Sequence, residues 1–577
     1  MNKNYPLYSV PDIISIQDMI IKSSRAYSDK IALEDLAVSP IPKISYKELK
    51  EIIIKFGKAL KEIGLKERDH IAVIGENRVQ WGITYLTSMV FNFVIVPIDR
   101  NLPHCDILNI LHESDTQAVV FSNTFKDFLT EKKDTLSKLK YLISMDDKNS
   151  SDNIYSMTEI IEKQNSFLDM LPEINPNEVA EIIFTSGSLG RAKGVMLSQK
   201  NLASNLMAMT SMVEITHQDK FLSVLPIHHT YECTCGFLCP LYMGASVHYA
   251  RSLKTVVEDL QKVKATILLG VPLLYDKMFK KIMKGIKEDK VKSFIVPPLL
   301  KITNLFDAFN SDKKMKKIVF KELHERFGGS VRIFIAGGAK PDPKVARGLR
   351  EFGFNFIQGY GLTETSPILA LNRLYNFKDE AAGLPLPGVE IKIDTPDSEG
   401  IGEIFVKGDN VMLGYYRNKQ KTDEVFHNGW FMTGDLGFID NDGFLHISGR
   451  KKNVIIAKNG KNVFPEEIED LLNRSPFIQE CLVYGEKDEK HDEIHDEIIA
   501  VQIFTDAEAF IEYSEKQNVQ ITPELIESVI SEEVKKVNSM LPQYKQIKKT
   551  FIRETEFEKT TTQKIKRYLI KQPTESE

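Results

Sequence analysis

The chain has 577 residues, several times the ~100–200 of a typical single domain, so it must fold as more than one unit around a large buried core. Hydrophobic residues make up 42% and charged ones 27%, near soluble globular averages, and a formal charge of −5 provides no basic field for nucleic acid. Five cysteines are too few for a disulfide framework, the N-terminal stretch lacks the apolar run of a signal peptide, and no window offers the ~20 apolar residues of a bilayer span. The expectation is a cytoplasmic protein whose only membrane contact would be peripheral, at the inner face.

From the N-terminus to about residue 360, β-rich apolar runs at 71–74, 94–98, 118–121, 266–269 and 331–335 alternate with segments of helical period at 46–62 and 272–286. Such alternation implies parallel sheets covered by helices. Within it, an apolar run at 179–184, broken by Glu181, leads straight into FTSGSLGRAKG at 184–194. Glycines let backbone N–H groups approach a polyphosphate, Thr185, Ser186 and Ser188 add hydroxyl donors, and Lys193 adds charge. The same composition also suits an ordinary Gly/Ser-rich turn. It is not a P-loop, since Ala192 precedes Lys193 and Gly194 follows it.

The stretch 222–244 is apolar but carries His228, His229 and Glu232, and its cysteines, Cys233, Cys235 and Cys239, have no usual zinc spacing; they read as buried packing near a pocket. The lysine-rich insert 277–321 reads as helical and mostly solvated, with 294–309 apolar enough to line a pocket or touch a membrane surface. After Gly383 short runs at 389–393, 403–406 and 444–447 between Gly-rich turns predict a β-rich lobe. From Arg450 the cluster RKKN gives way to a strand at 454–456, a helix near 465–473, strands at 481–484 and 498–503, and an amphipathic helix at 523–539. HDEIHDEI at 491–498 reads as a charged loop.

Three further segments accompany the glycine loop: QGYGLTETSP at 358–367, GWFMTGD at 429–435 with GRKKN at 449–453, and KTTTQKIKR at 559–567. In order and spacing the four resemble the motifs of the adenylate-forming superfamily, which includes acyl-CoA synthetases, peptide-synthetase adenylation domains and luciferases. Within it, LPIHHTYE at 225–232, LLYDKMFKKIMKGI at 273–286, GWFMTGDLGFID and NGKNVFPEEIE resemble bacterial long-chain fatty acid–CoA ligases.

The resemblance implies an α/β fold: a large N-terminal adenylation domain, 1–450, with α/β subdomains to about 382 and a β-rich lobe over 383–450. A small mobile α+β C-terminal domain, 451–577, would follow, hinged near 450–452 at Lys452. It implies that ATP and a fatty acid of medium to long chain give acyl-AMP and pyrophosphate, and that coenzyme A then displaces AMP, with Mg2+ required. A carboxylate attacking a phosphate brings two anions together, so the site must supply positive charge and aimed donors.

By that resemblance Thr185, Ser186, Gly187, Ser188 and Lys193 cradle the β- and γ-phosphates, Glu364 holds Mg2+, and Thr363 contacts the α-phosphate. Gln358, Gly359, Tyr360 and Gly361 frame adenine, with Tyr360 stacking on it and Gly337, Gly338 and Ala339 on its other side. Asp435, assisted by Arg450, accepts from the ribose hydroxyls; His229 positions the acid; Lys564 bridges the carboxylate and the α-phosphate. Ala192 stands where many relatives have proline, and Gln563 where many have glycine. A carrier-protein thiol in place of coenzyme A, another carboxylic acid, and an inactive scaffold retaining the fold are the rival readings.

Overall fold

The computed structural model describes residues 5–38, 42–151, 153–165, 170–185, 192–309, 314–457, 460–487, 497–559 and 565–569. The chain divides into two compact units, Met1–Ile391 with Val406–Phe431 and Asn441–Leu445, and Lys392–Phe405 with Met432–Asp440 and His446–Glu577.

The first unit holds two large sheets. The runs at 71–74, 94–98 and 118–121 become the strands His70–Ile74, Val94–Ile98 and Ala118–Phe121, paired in parallel. Every residue of Val94–Ile98 is buried, as a parallel strand covered by helices on both faces requires. Among the described residues eight strands make this sheet, in the order Gly414–Tyr415, Lys193–Ser198, Val179–Thr185, Val94–Ile98, His70–Ile74, Ala118–Phe121, Tyr141–Ser144 and Tyr155–Ser156. Val179–Thr185 runs parallel to Val94–Ile98 but antiparallel to Lys193–Ser198. The alternation of strands and helices predicts only parallel pairing; here the residues between 185 and 193 are too few for a crossover, so the chain must turn back as a hairpin.

Nine strands form the second sheet among the described residues. Its parallel centre contains Ser246–Tyr249, Lys220–Ser223, Ile267–Gly270, Ile333–Ala336 and Asn355–Gly361, and Ile368–Leu371 and Leu384–Pro385 close one edge antiparallel. Leu268, Tyr275, Phe334, Leu349 and Phe354 build the core on one face. The helix Pro272–Glu288 starts with proline in its first turn, where no N–H is missed, and drops Tyr275 and Met278 into that core. Helices Lys290–Phe309, Lys314–Val319 and Lys321–Arg326 complete the insert.

Among the described residues a five-stranded sheet of Glu390–Asp394, Gly402–Lys407, Trp430–Ile439, Phe426–His427 and Leu445–Arg450 lies mainly in the second unit. Trp430–Ile439 alternates buried and half-buried side chains, the period-2 signature of a sheet with one covered face. Beyond it, Ile478–Lys487 pairs antiparallel with Glu497–Thr505, which pairs in parallel with Lys549–Arg553. Helices Pro465–Leu472 and Pro523–Met540 bury Ile468, Leu472, Ile530 and Val534 against this small sheet. The fold is mixed α/β with a large N-terminal part and a smaller C-terminal domain. Among the described residues no helix is long and apolar enough to cross a membrane.

Candidate active site

The hairpin sets Thr185 opposite Lys193 at the end nearest its connection, with the Thr185 hydroxyl 3.5 Å from the Lys193 carbonyl. Ser186, Gly187 and Ser188 lie outside the described residues. A third strand, Gly414–Tyr415, adds Tyr415 beside Val195. Lys193 Nζ sits 5.0 Å from the centre of the Tyr415 ring, and the Tyr415 hydroxyl donates to Glu364 Oε1 at 3.0 Å. Strand pairing therefore gathers an ammonium, a phenol and a carboxylate that are distant in sequence. Glu364 is half-buried in a single 3-10 turn, Thr363–Thr365, and its carbonyl accepts from Met412 N–H at 2.8 Å. A carboxylate held this way offers a hard oxygen of the kind Mg2+ requires, so the donor chemistry fits that ion.

Asn410 locks the turn from behind. It is buried, its amide donates to the carbonyls of Thr365 (2.9 Å) and Ile368 (3.1 Å), and its own carbonyl accepts from the Ser366 hydroxyl at 2.9 Å. Neither Tyr415 nor Asn410 stood out in the sequence. Their common signal is a polar or aromatic residue beside Gly408 and Gly414, where a Cβ would collide with a neighbour.

The segment 358–361 continues the strand Asn355–Gly361. Gln358 is buried and donates to the Asp379 carbonyl at 3.0 Å, tying the strand end to the next loop. A Cβ on Gly361 would overlap the Pro367 carbonyl, so the close antiparallel return of Ile368–Leu371 demands glycine there, whereas one on Gly359 would only press on Leu371 Cδ1 at 3.0 Å. Tyr360 and Thr363 are half-buried. Gly337 is small for a packing reason, the Tyr231 ring lying 2.7 Å from where its Cβ would be. Gly338, at φ +83°, and Ala339 are exposed.

His228 and His229 follow the strand Lys220–Ser223 and precede a π-helix, Tyr231–Leu238. His228 Nε2 is 3.5 Å from Asp99 Oδ2, the two rings are 4.2 Å apart, and the donor atoms of Asp99, His228 and His229 all lie within 4.8 Å of one another. Asp99, at the end of Val94–Ile98, was missed because 129 positions of sequence separate it from His228. Its signal was a lone carboxylate closing a wholly apolar strand. The wider helix turn directs Tyr231, Cys235 and Cys239 into a cavity of about 50 Å3 whose other walls include Met209, Leu269 and Ile335. Gly359, next to Tyr360, also lines it. Cys235 Sγ lies 3.7 Å from Met209 Sδ, and burial pushes the thiols of Cys233, Cys235 and Cys239 upward, so they stay un-ionised.

In the second unit, Arg450 Nε lies 2.7 Å from Asp435 Oδ1, and the buried Asp435 backbone N–H bonds the Thr433 hydroxyl at 3.1 Å. Lys452 occupies the 3-10 turn Lys451–Asn453 and is exposed. Lys564 and Gln563, and 491–496 of the HDEIHDEI run, lie outside the described residues.

A family model described as AMP-binding enzyme matches residues 21–416, and one described as AMP-binding enzyme C-terminal domain matches 452–577. The chain belongs to the AMP-binding enzyme family, the adenylate-forming acid–CoA ligases. It is 27% identical to a chloroplastic long-chain-fatty-acid–acyl-carrier-protein ligase of Arabidopsis thaliana, covering 82% of this chain and 75% of that one. It is 25% identical to a long-chain-fatty-acid–CoA ligase of Mycobacterium bovis, covering 98% and 96%. Its fold is similar to that of the anthranilate CoA ligase in complex with anthranoyl-AMP, with a TM-score of 0.77 at 19% identity over 98% of both chains. It is also similar to ATP-bound MatB from Rhodopseudomonas palustris, at 0.75 and 23% over 96% of this chain and 97% of that one.

Proposed function

We propose that this protein is an ATP-dependent fatty acid–CoA ligase for medium to long chains. The observation that carries the reading is the cavity beside Gly359: apart from Thr210 its walls are aliphatic, aromatic and sulfur side chains, and none is charged, which suits a hydrocarbon tail. Two relatives named for long-chain acids support it. The family's use of ATP, Mg2+ and coenzyme A supplies the rest.

In the first step a carboxylate oxygen of the acid bonds to the α-phosphorus of ATP and the bond to the β-phosphate oxygen breaks, releasing pyrophosphate. Lys193 and Thr185, with Ser186, Gly187 and Ser188, hold the departing phosphates. Mg2+, when bound, neutralises phosphate charge, and Glu364 is the side chain that holds it. Thr363 contacts the α-phosphate, Tyr360 stacks on adenine, and Asp435 with Arg450 takes the ribose hydroxyls. His229, backed by the Asp99–His228 pair, aligns the carboxylate, and Lys564 bridges it to the α-phosphate. Lys564 then leaves as the C-terminal domain turns about Lys452, and a thiol attacks the acyl carbon, expelling AMP.

The test is AMP release with coenzyme A across a panel of acids from acetate to oleate. An optimum above about ten carbons supports the reading, and preference for aryl or amino acids refutes it. Lys564→Ala should abolish adenylation of the free acid yet spare thioester formation from preformed acyl-AMP. A second reading, transfer to a carrier-protein thiol, is favoured by the Arabidopsis relative; it predicts faster turnover with holo acyl carrier protein than with coenzyme A.

A further inference from the structure

The helix Lys290–Phe309 is apolar on two sides. Val296, Leu299 and Leu300 pack onto the core around Tyr275 and Phe334. On the solvent side Val291, Phe294, Ile295 and Ile302 are 64%, 86%, 49% and 50% exposed. Their spacing, i, i+3, i+4 and i+11, is one continuous helical stripe. From Ser293 to Phe309 the sequence carries only two charges, Lys301 and Asp307. A row of exposed large apolar side chains on a surface helix marks a place where something else covers it.

The neighbouring helix identifies what covers it. Pro272–Glu288 packs against Lys290–Phe309 and turns Tyr275, Met278 and Ile282 inward. Its exposed side holds Lys277, Lys280, Lys281, Lys284 and Lys287, again at helical spacing. Residues 277–321 contain thirteen lysines against four carboxylates, in a chain whose formal charge is −5. The positive charge of this protein is thus concentrated beside its exposed apolar stripe.

The geometry points to this two-helix face as a docking surface for an anionic lipid bilayer. Apolar side chains inserting at the headgroup boundary and lysines pairing with anionic headgroups are the two requirements of an interfacial helix, and both are present on adjacent elements. A second copy is a poor occupant, because two such lysine faces repel, and a nucleic acid gives Phe294 and Ile295 nothing to bury against. The inference does not depend on which acid the enzyme activates.

Co-sedimentation of the full-length protein with vesicles tests it. Binding is expected to vesicles of phosphatidylcholine with about 30% phosphatidylglycerol, and to weaken on raising salt from about 0.1 to 0.5 M, with little binding to phosphatidylcholine alone. Phe294→Glu, and separately Lys280→Glu with Lys284→Glu, should each lower vesicle partition roughly tenfold or more. Both variants should keep the wild-type unfolding temperature and pyrophosphate exchange with a short, water-soluble acid, which separates lost docking from lost folding. Equal binding to neutral vesicles, undiminished binding of either variant, or a wild-type dimer that Phe294→Glu dissociates would overturn the proposal.

Discussion

Glu181 is the single break in the apolar run that leads into the glycine-rich segment after Thr185, and replacing it by glutamine makes a quantitative test of how that strand is held. The side chain is 1% exposed, and Oε2 accepts from the Tyr85 hydroxyl at 3.0 Å. Tyr85 stacks on Trp81 at 5.6 Å. Burial pushes the Glu181 carboxyl from an ordinary 4.5 up to about 8, with the Tyr85 hydrogen bond opposing. The native state therefore keeps a proton that the unfolded chain gives up. Below pH 4.5 both states are protonated and the group contributes nothing to pH dependence. Between 4.5 and about 8 stability falls as pH rises, and above 8 both states are ionised and the loss is complete. At about 1.4 kcal/mol per unit the ceiling is about 5 kcal/mol, and relaxation and water entry around the ion reduce this to an expected 2–3 kcal/mol or so. Glu181→Gln removes that slope. Urea unfolding followed by tryptophan emission, from Trp81 and Trp430, should show the variant within about 1 kcal/mol of wild type at pH 5 and more stable by about 2–3 kcal/mol at pH 9. Glu232, raised to about 8 by burial, and Glu469 and Asp276, raised to about 7 and about 6, remain in both proteins and contribute a residual slope. A stability difference that does not change between pH 5 and pH 9 would refute the argument.

Three further outcomes are expected. Tyr415→Phe deletes the 3.0 Å hydrogen bond to Glu364; a loss of about 1–1.5 kcal/mol should appear as a roughly tenfold lower kcat/KM for ATP that is partly recovered at high Mg2+, and an unchanged Mg2+ dependence would show that Glu364 is not oriented by this phenol. Cys235→Trp fills the cavity, so long acids should lose about 10–200-fold in kcat/KM while short ones are spared; a uniform loss across chain lengths would place the acyl tail elsewhere. Lys452→Pro restricts φ in an exposed 3-10 turn. Acyl-CoA production should fall at least about tenfold with pyrophosphate exchange within about twofold of wild type, and equal loss in both half-reactions would remove the hinge role.

The parallel centres of both sheets were legible because a parallel strand covered on both faces must be a continuous apolar run, and 94–98 and 118–121 are such runs. Helix 46–62 was legible to the residue, since Ser45 and Glu48 form a capping box ahead of a clean 3.6 period. What could not be read were elements defined by long-range pairing. Gly414–Tyr415 is two residues long and exists as a strand only because Val195 and Met196 present an edge to it. The π-helix Tyr231–Leu238 has no period of its own in the sequence. The Gly236 position, where a Cβ would lie 2.7 Å from the Glu232 carboxyl, was its one local trace.

The same distinction governs the site. Residues proposed for the site from composition and order, such as Lys193 after its glycine-rich run and Glu364 after Thr363, announce themselves in one dimension. Residues that orient them do not: Tyr415 reaches Glu364 across 51 positions, and Asp99 reaches His228 across 129, distances that only sheet order closes. The glycines carry a second constraint that the sequence does not display: Gly337 meets Tyr231 and Gly361 meets the Pro367 carbonyl, so the protein's own packing also requires them to be small. That packing has a consequence for catalysis. Tyr231 fills the space above Gly337 and donates to the Ile335 carbonyl at 3.0 Å while also walling the cavity. One side chain thereby couples the strand end that leads to Gly338 and Ala339 with the pocket proposed for the acyl tail, so a change in what fills the pocket should be felt in nucleotide affinity as well as in acid selectivity.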